Sequence, residues 1–192
     1  VLQGMIYSHE HQDKREENTK LFHQMAQKAV DTDPENPDAM SSLSMSYSIK
    51  KDLNKRLETA EKALELNPSH PRSNFSYGQA LTNFGRNEEA LTYVNKAIEM
   101  DPQSKKNYEG FFPLLYIALK DWENAITWLN TAHERSPHSR YFGWKAAVYG
   151  KMNDLKSAKE NLNSFLKERP EIKTLEDYEK VAPTIIKDTL LE

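Results

Sequence analysis

Residue types that carry catalytic or metal-ligating chemistry are present in this chain, but their spacing argues against such use. His9 and His11 flank Glu10. On a helix, positions i and i+2 diverge, so this pair could converge on one ion only from an extended backbone. His23, His70, His133 and His138 stand singly. His133 falls in the last turn of an apolar-periodic segment, where a cation is favourable. The acidic pairs Glu88–Glu89 and Glu176–Asp177 sit where helices begin, and nothing sets one of these carboxyls in the apolar pocket that raises a general acid's pKa. The chain has no cysteine, which removes disulfides, thiolate zinc sites and a Cys nucleophile. It has no Gly-rich phosphate loop and no Gly-x-Ser-x-Gly elbow. The expectation is a chain with no catalytic residue, no cofactor and no metal, hence not itself an enzyme.

Those residues must be carried by elements, and composition says which kind. The 192 residues are 38% hydrophobic and 29% charged, with only 6 Gly, which fits a folded, helix-rich chain. Lys and Arg number 26 against 29 Asp and Glu, for a formal net charge of −3, so no basic excess points to nucleic acid or an anionic membrane. The longest apolar run, residues 111–119, is far short of the ~20 residues of a membrane span, so no direct membrane insertion is expected. No signal peptide is visible. A soluble chain, cytoplasmic rather than secreted, is the expectation. It starts at Val1 and stops at Glu192 in mid-helix pattern, as a piece of a longer protein would.

The organising feature is a repeat. Pro34, Pro68, Pro102, Pro137 and Pro170 recur at intervals of 34, 34, 35 and 33 residues. Each closes a similar phrase: AQKAVDTDP, AEKALELNP, VNKAIEMDP, LNTAHERSP, LNSFLKERP. Within each phrase apolar residues fall at i, i+3 and i+4, the stripe of an amphipathic helix. Proline then ends it, because it cannot continue the bonding and biases the preceding residue off the α region. Upstream of each phrase lies a second periodic segment behind a polar break. In residues 74–102 Gly78 and Ala90 let two helices approach closely, Tyr77, Leu81, Val94 and Ala97 fill the interior, and Gly85 makes the turn.

This pattern resembles the tetratricopeptide repeat, a helix–turn–helix of about 34 residues. The family's first-helix positions correspond to Met40, Leu43, Ser44 and Tyr47, then to Asn74, Tyr77, Gly78 and Leu81. Its second-helix positions correspond to Arg56, Ala60, Ala63 and Pro68; Ala90, Val94, Ala97 and Pro102; Ala125, Leu129, Ala132 and Pro137; Ala158, Leu162, Phe165 and Pro170. An imperfect leading repeat carries Phe22, Ala26, Ala29 and Pro34. The resemblance implies an all-α, right-handed superhelix of stacked antiparallel hairpins. The boundaries expected are an imperfect hairpin at 1–36, four repeats at 37–70, 71–104, 105–138 and 139–170, and capping helices at 171–192. Arg56 stands where a small residue belongs, so its hairpin is expected to pack less closely or to let the Arg stem snorkel. Pro113 is expected to kink its helix. Trp122, Trp128, Leu53 and Leu155 fall at packing positions. Thr174 and Asp177 read as a capping box, and the tail as a cap over the last repeat. A looser resemblance, in the opening segment and in FLKERPEIKTLEDYEKVAPTIIKDTLLE, is to the repeat region that follows the catalytic domain of bacterial class III adenylate cyclases, and to that of some membrane-anchored winged-helix activators. No cyclase motif lies in these residues.

Such repeats imply a protein or peptide partner held in a concave groove lined by first helices, and a bacterial signalling role for the looser resemblance. By register the groove stripe includes Asp38, Ser41, Met45 and Ser48; Arg72, Phe75, Gln79, Thr82 and Asn83; Asn107, Leu114 and Ile117; Arg140, Gly143, Ala147 and Lys151. Leu114 and Ile117 either line the groove or contact the neighbouring hairpin. The family's carboxylate clamp is missing, since the matching places hold Ser41, Met45, Ser76, Asn107 and Phe111. Tyr141, Phe142 and Trp144, read as exposed, offer an alternative role as a homodimer patch beside a catalytic or DNA-binding domain outside the chain. The tail's Ile172, Leu175, Val181, Ile185 and Ile186 offer another occupant for the groove.

Overall fold

The computed structural model describes residues 2–181, with side chains from Lys14 onward except at 15 and 181. Among these residues the chain is all-α, with helices α1 (Leu2–Thr32), α2 (Pro37–Ile49), α3 (Leu53–Leu66), α4 (Pro71–Leu81), α5 (Asn87–Met100), α6 (Lys105–Glu109), α7 (Phe112–Ala118), α8 (Trp122–Arg135), α9 (Ser139–Lys151), α10 (Leu155–Glu168) and α11 (Leu175–Val181). The chain divides into two compact units: residues 1–84 with 92–102, and residues 85–91 with 103–192.

Short polar turns set the helix starts. The Asn36 side chain accepts from the N–H groups of Asp38 and Ala39, and Pro37 opens α2 where its missing N–H costs nothing. The Asp52, Asp121 and Asp154 carboxylates accept from the backbone N–H of Lys55, Asn124 and Ser157 at the starts of α3, α8 and α10. Capping by the Ser157 hydroxyl and N–H holds the Asp154 carboxyl below its ordinary pKa. Directly before each of these caps the backbone turns left-handed, at Lys51 (φ 60°), Lys120 (φ 57°) and Asn153 (φ 60°); Gly85 (φ 70°) makes the matching turn before α5. Only glycine takes that conformation freely, so the three non-glycine turns carry a small strain that the caps offset.

In the first unit α1, α2, α3 and α4 pack in succession, and α2 also lies against α4. Ala26 and Val30 of α1 form a cluster with Ala39 and Leu43 of α2. Ala60 and Ala63 of α3, and Leu81 of α4, are fully buried. Residues 2–32 form one unbroken helix, which corrects the expected hairpin over 1–36. No break residue interrupts the pattern before Pro34, so α1 runs on and its antiparallel mate is α2.

In the second unit α7 packs on α8, α8 on α9, and α9 on α10. Its core joins Ile117, Ala125, Leu129, Trp144 and Val148, with Trp122 and Leu114 packed on the edge. Pro113 does not kink a helix as expected. It sits in the first turn of α7, after a break at Gly110 and Phe111 that separates α6 from α7. A fresh start leaves no bond for proline to remove. Leu155 is largely exposed instead of packed. The tail folds onto the last hairpin: Ile172 is buried, and Tyr178 meets Phe165 edge-on at 5.6 Å. Thr174 and Asp177 form the capping box, with the Asp177 N–H donating to Thr174 Oγ1 and the Thr174 N–H to Asp177 Oδ2.

Candidate interaction surface

In the first unit α2 and α4 lie side by side, with the hydroxyls of Ser41 and Ser73 3.5 Å apart. That contact buries Ser41, so it joins the two helices and does not face outward as its register suggested. One turn around α2, Asp38, Ser42 and Met45 share a stripe by i, i+3/i+4 spacing, and Arg72, Phe75 and Gln79 do so on α4. Arg72 ties the stripes together. Its Nη2 donates to Ser42 Oγ at 3.1 Å and its Nη1 lies 3.6 Å from Asp38 Oδ1. His70 approaches the other Asp38 oxygen at 3.5 Å. Met45 stays 38% exposed, while Phe75 and Gln79 are half-buried. Met45 and Phe75 lie one turn further along their helices from Ser42 and Arg72, beside this polar network.

Asn83 follows α4, in the helical turn Thr82–Phe84. Its Oδ1 accepts from Arg56 Nη1 at 2.6 Å. Sequence register pointed to Asn83 but not to Arg56, which was expected either to loosen the packing of its hairpin or to let its stem snorkel. Arg56 is instead buried, with only 9% of its surface exposed. The fold makes room by placing Ser44 opposite, whose hydroxyl donates to the Arg56 carbonyl at 2.8 Å. Burial alone pulls the guanidinium pKa down to about 10. The run KKDLNKR marks a basic turn where α2 gives way to α3, but nothing in it says that its arginine is buried.

The second unit gathers its predicted residues less well. Asn107, Arg140 and Lys151 are exposed, and no hydrogen bond or ion pair joins them. Arg140 lies over the Tyr141 ring at 5.5 Å. Leu114 packs against the core edge and Ile117 is fully buried, so Ile117 leaves the groove and serves the hairpin. Gly143 faces Phe165: a Cβ there would lie 3.3 Å from the ring. Trp144 is 5% exposed, and Tyr141 and Phe142 are half-buried against His133. Trp144 is core and Tyr141 and Phe142 are partly covered, which corrects the reading of these three as an exposed patch. An apolar hollow of about 560 Å³ lies between α9, α10 and α11, lined by Leu162, Phe165, Leu166, Ile172, Leu175 and Tyr178. The tail residues Ile172 and Tyr178 thus cap the last hairpin; Ile185 and Ile186 lie outside the described residues. No group of three or more His, Asp or Glu among the described residues could hold a metal ion. No described helix is long and apolar enough to cross a membrane.

Comparison with known proteins identifies the class. Two tetratricopeptide repeat models match, at residues 37–70 and 57–105. No curated protein matches the chain in sequence. Among solved structures, PilW, a widely conserved type IV pilus biogenesis factor, superposes with a TM-score of 0.68 at 20% identity, over 85% of this chain and 76% of that one. TTC0263, a tetratricopeptide protein of Thermus thermophilus, gives 0.62 at 18%, over 88% and 91%. YrrB, a tetratricopeptide protein with an unusual peptide-binding site, gives 0.58 at 18%, over 82% and 81%. Residues 37–105 match the tetratricopeptide repeat, and the fold of the chain is similar to that of solved tetratricopeptide-repeat structures.

Proposed function

We propose that this chain is a non-catalytic interaction module whose α2–α4 face binds an extended peptide or a partner helix. The observation that carries it is the preset face itself. Met45 and Phe75 stand as apolar anchors beside an Arg72–Asp38–Ser42 network that is already hydrogen-bonded before any partner arrives. Apolar anchors supply most of the energy at such interfaces, and fixed polar neighbours set register at little entropic cost. YrrB, with its peptide-binding site on the same fold, supports the reading by analogy. A regulatory place within a longer bacterial signalling chain rests on sequence resemblance alone. The test is selection of random displayed peptides on the full chain, followed by affinity measurement against Met45→Ser and Phe75→Ala. Recovered peptides should bind each variant about tenfold more weakly or worse. Peptides that bind both variants as tightly as the parent would place the interface elsewhere.

A further inference from the structure

The buried guanidinium of Arg56 has no counter-charge in its own unit. In the other hairpins the same position holds Ala90, Ala125 and Ala158, and the first two are fully buried. Here the fold tolerates a charge instead, and desolvating an unpaired charge is costly. Among the described residues no carboxylate lies within ion-pair distance of Arg56. Its one side-chain hydrogen bond goes to the neutral amide oxygen of Asn83, and its buried Nε has no partner. A neutral acceptor compensates a cation only in part. Lys50, Lys51 and Lys55 lie at the turn from α2 into α3; Asp52, the one acid within that turn, caps α3 and lies 3.7 Å from Lys55, and Glu58 is paired with Lys62. The field of these lysines is felt nearby, since Lys50 and Lys55 add to burial in lowering the pKa of His23.

From this geometry we infer that Arg56 and Asn83 form the receptor for a carboxylate of the bound partner, which is therefore an acidic peptide. The inference rests on the peptide-binding reading above and names its chemistry. Asn83 stands at the exit of α4, at the end of the helix whose stripe carries Arg72, Phe75 and Gln79. A chain lying along that stripe brings its acid to the Asn83 end. The incoming carboxylate takes over as acceptor for the guanidinium, and the Asn83 amide turns its N–H to the same oxygen. A single guanidinium beside an amide suits a singly charged, planar carboxylate; a phosphate, near −2, calls for a cluster of arginines. The basic turn accelerates arrival of an acidic chain, an effect that salt screens.

The experiment pans a random-peptide library on the parent chain in two formats, one with a free C terminus and one with it blocked. The same selection is repeated on Arg56→Met and on Asn83→Asp, the second of which supplies an internal carboxylate for Arg56. The expected result is enrichment of Asp and Glu at one position in the blocked format, or of a free C terminus in the other, which identifies the source of the carboxylate. Arg56→Met should weaken the selected acidic peptide about tenfold, yet leave its amide analogue within about twofold, because the charge pair is then already absent. Asn83→Asp should raise the melting temperature and abolish the acid preference, so the conclusion survives if Arg56→Met fails to fold. Binders that lose affinity with Met45→Ser but show no acid preference would overturn the Arg56 receptor and leave the peptide-binding reading standing. An acid preference that persists in Asn83→Asp would likewise overturn it. Recovery of no binder in either format would sink both.

Discussion

Asn74 is fully buried at a place where the repeat pattern has a large apolar residue, and its amide has a definite job. Its Nδ2 donates to the carbonyls of Pro68 and His70, each at 2.9 Å, and lies 3.8 Å from Met100 Sδ. The two carbonyls fix the orientation of the amide, because the reverse flip would set oxygen against oxygen. The cost is that Oδ1 faces the interior with no partner. Asn74→Ala removes both donated bonds. The His70 carbonyl keeps its backbone bond from the Asn74 N–H at 3.1 Å, so the Pro68 carbonyl is the group left bare. Two neutral bonds at about 1 kcal/mol each, less the relief of the orphaned Oδ1, give a net loss of about 1–2 kcal/mol. Asn74→Asp keeps the volume but puts a carboxylate against two carbonyls, and should cost at least about 3 kcal/mol at neutral pH. The sign of its pH dependence follows. Burial raises the folded-state pKa of that Asp above its unfolded value near ~3.9, so the folded state holds the proton more tightly. The variant is therefore least impaired below the unfolded pKa, where a protonated acid donates one bond, and it loses stability as pH rises through the folded pKa. Urea unfolding followed by far-ultraviolet circular dichroism, at several pH values, reads all three proteins. An Asp variant no less stable than the Ala variant at neutral pH would refute the donor role and leave only volume.

The Tyr178 hydroxyl is buried without a partner, and burial pushes its pKa up to about 12. The folded state thus keeps a proton that the unfolded chain gives up near ~10, and stability falls as pH rises from there toward 12. Tyr178→Phe should remove that alkaline loss and be neutral or slightly stabilising at neutral pH, checked by melting curves beside phenolate absorbance. Trp144, 5% exposed in the second core, should cost about 3–5 kcal/mol on replacement by alanine. Circular dichroism should show the variant destabilised; a folded, fully stable Trp144→Ala chain would contradict the packing.

The sequence by itself determined the all-α class, the hairpin period and the Thr174–Asp177 capping box, because these are local rules read at fixed offsets. A proline every 33–35 residues and an alanine opposite a small residue need no tertiary information. The Thr174–Asp177 box acts within one turn of itself, so its residue types and spacing are legible, whereas the N-cap at Asp52 emerged only with the structure. What only the tertiary structure decided was which side of a stripe meets protein. Ser41 and Ile117 share their register with Met45 and Arg72, yet the first pair is buried by a neighbouring helix and the second left open. Helical spacing cannot separate them, since adjacent positions on one face differ by less than the width of a partner helix. The N-terminal helix ran unbroken where a faint repeat suggested a turn, for want of any residue that stops a helix. The fate of Arg56 was beyond sequence altogether. Whether a long cation snorkels or is buried depends on the space left by Ser44 and on an acceptor twenty-seven residues away at Asn83, and only the packed hairpins supply both.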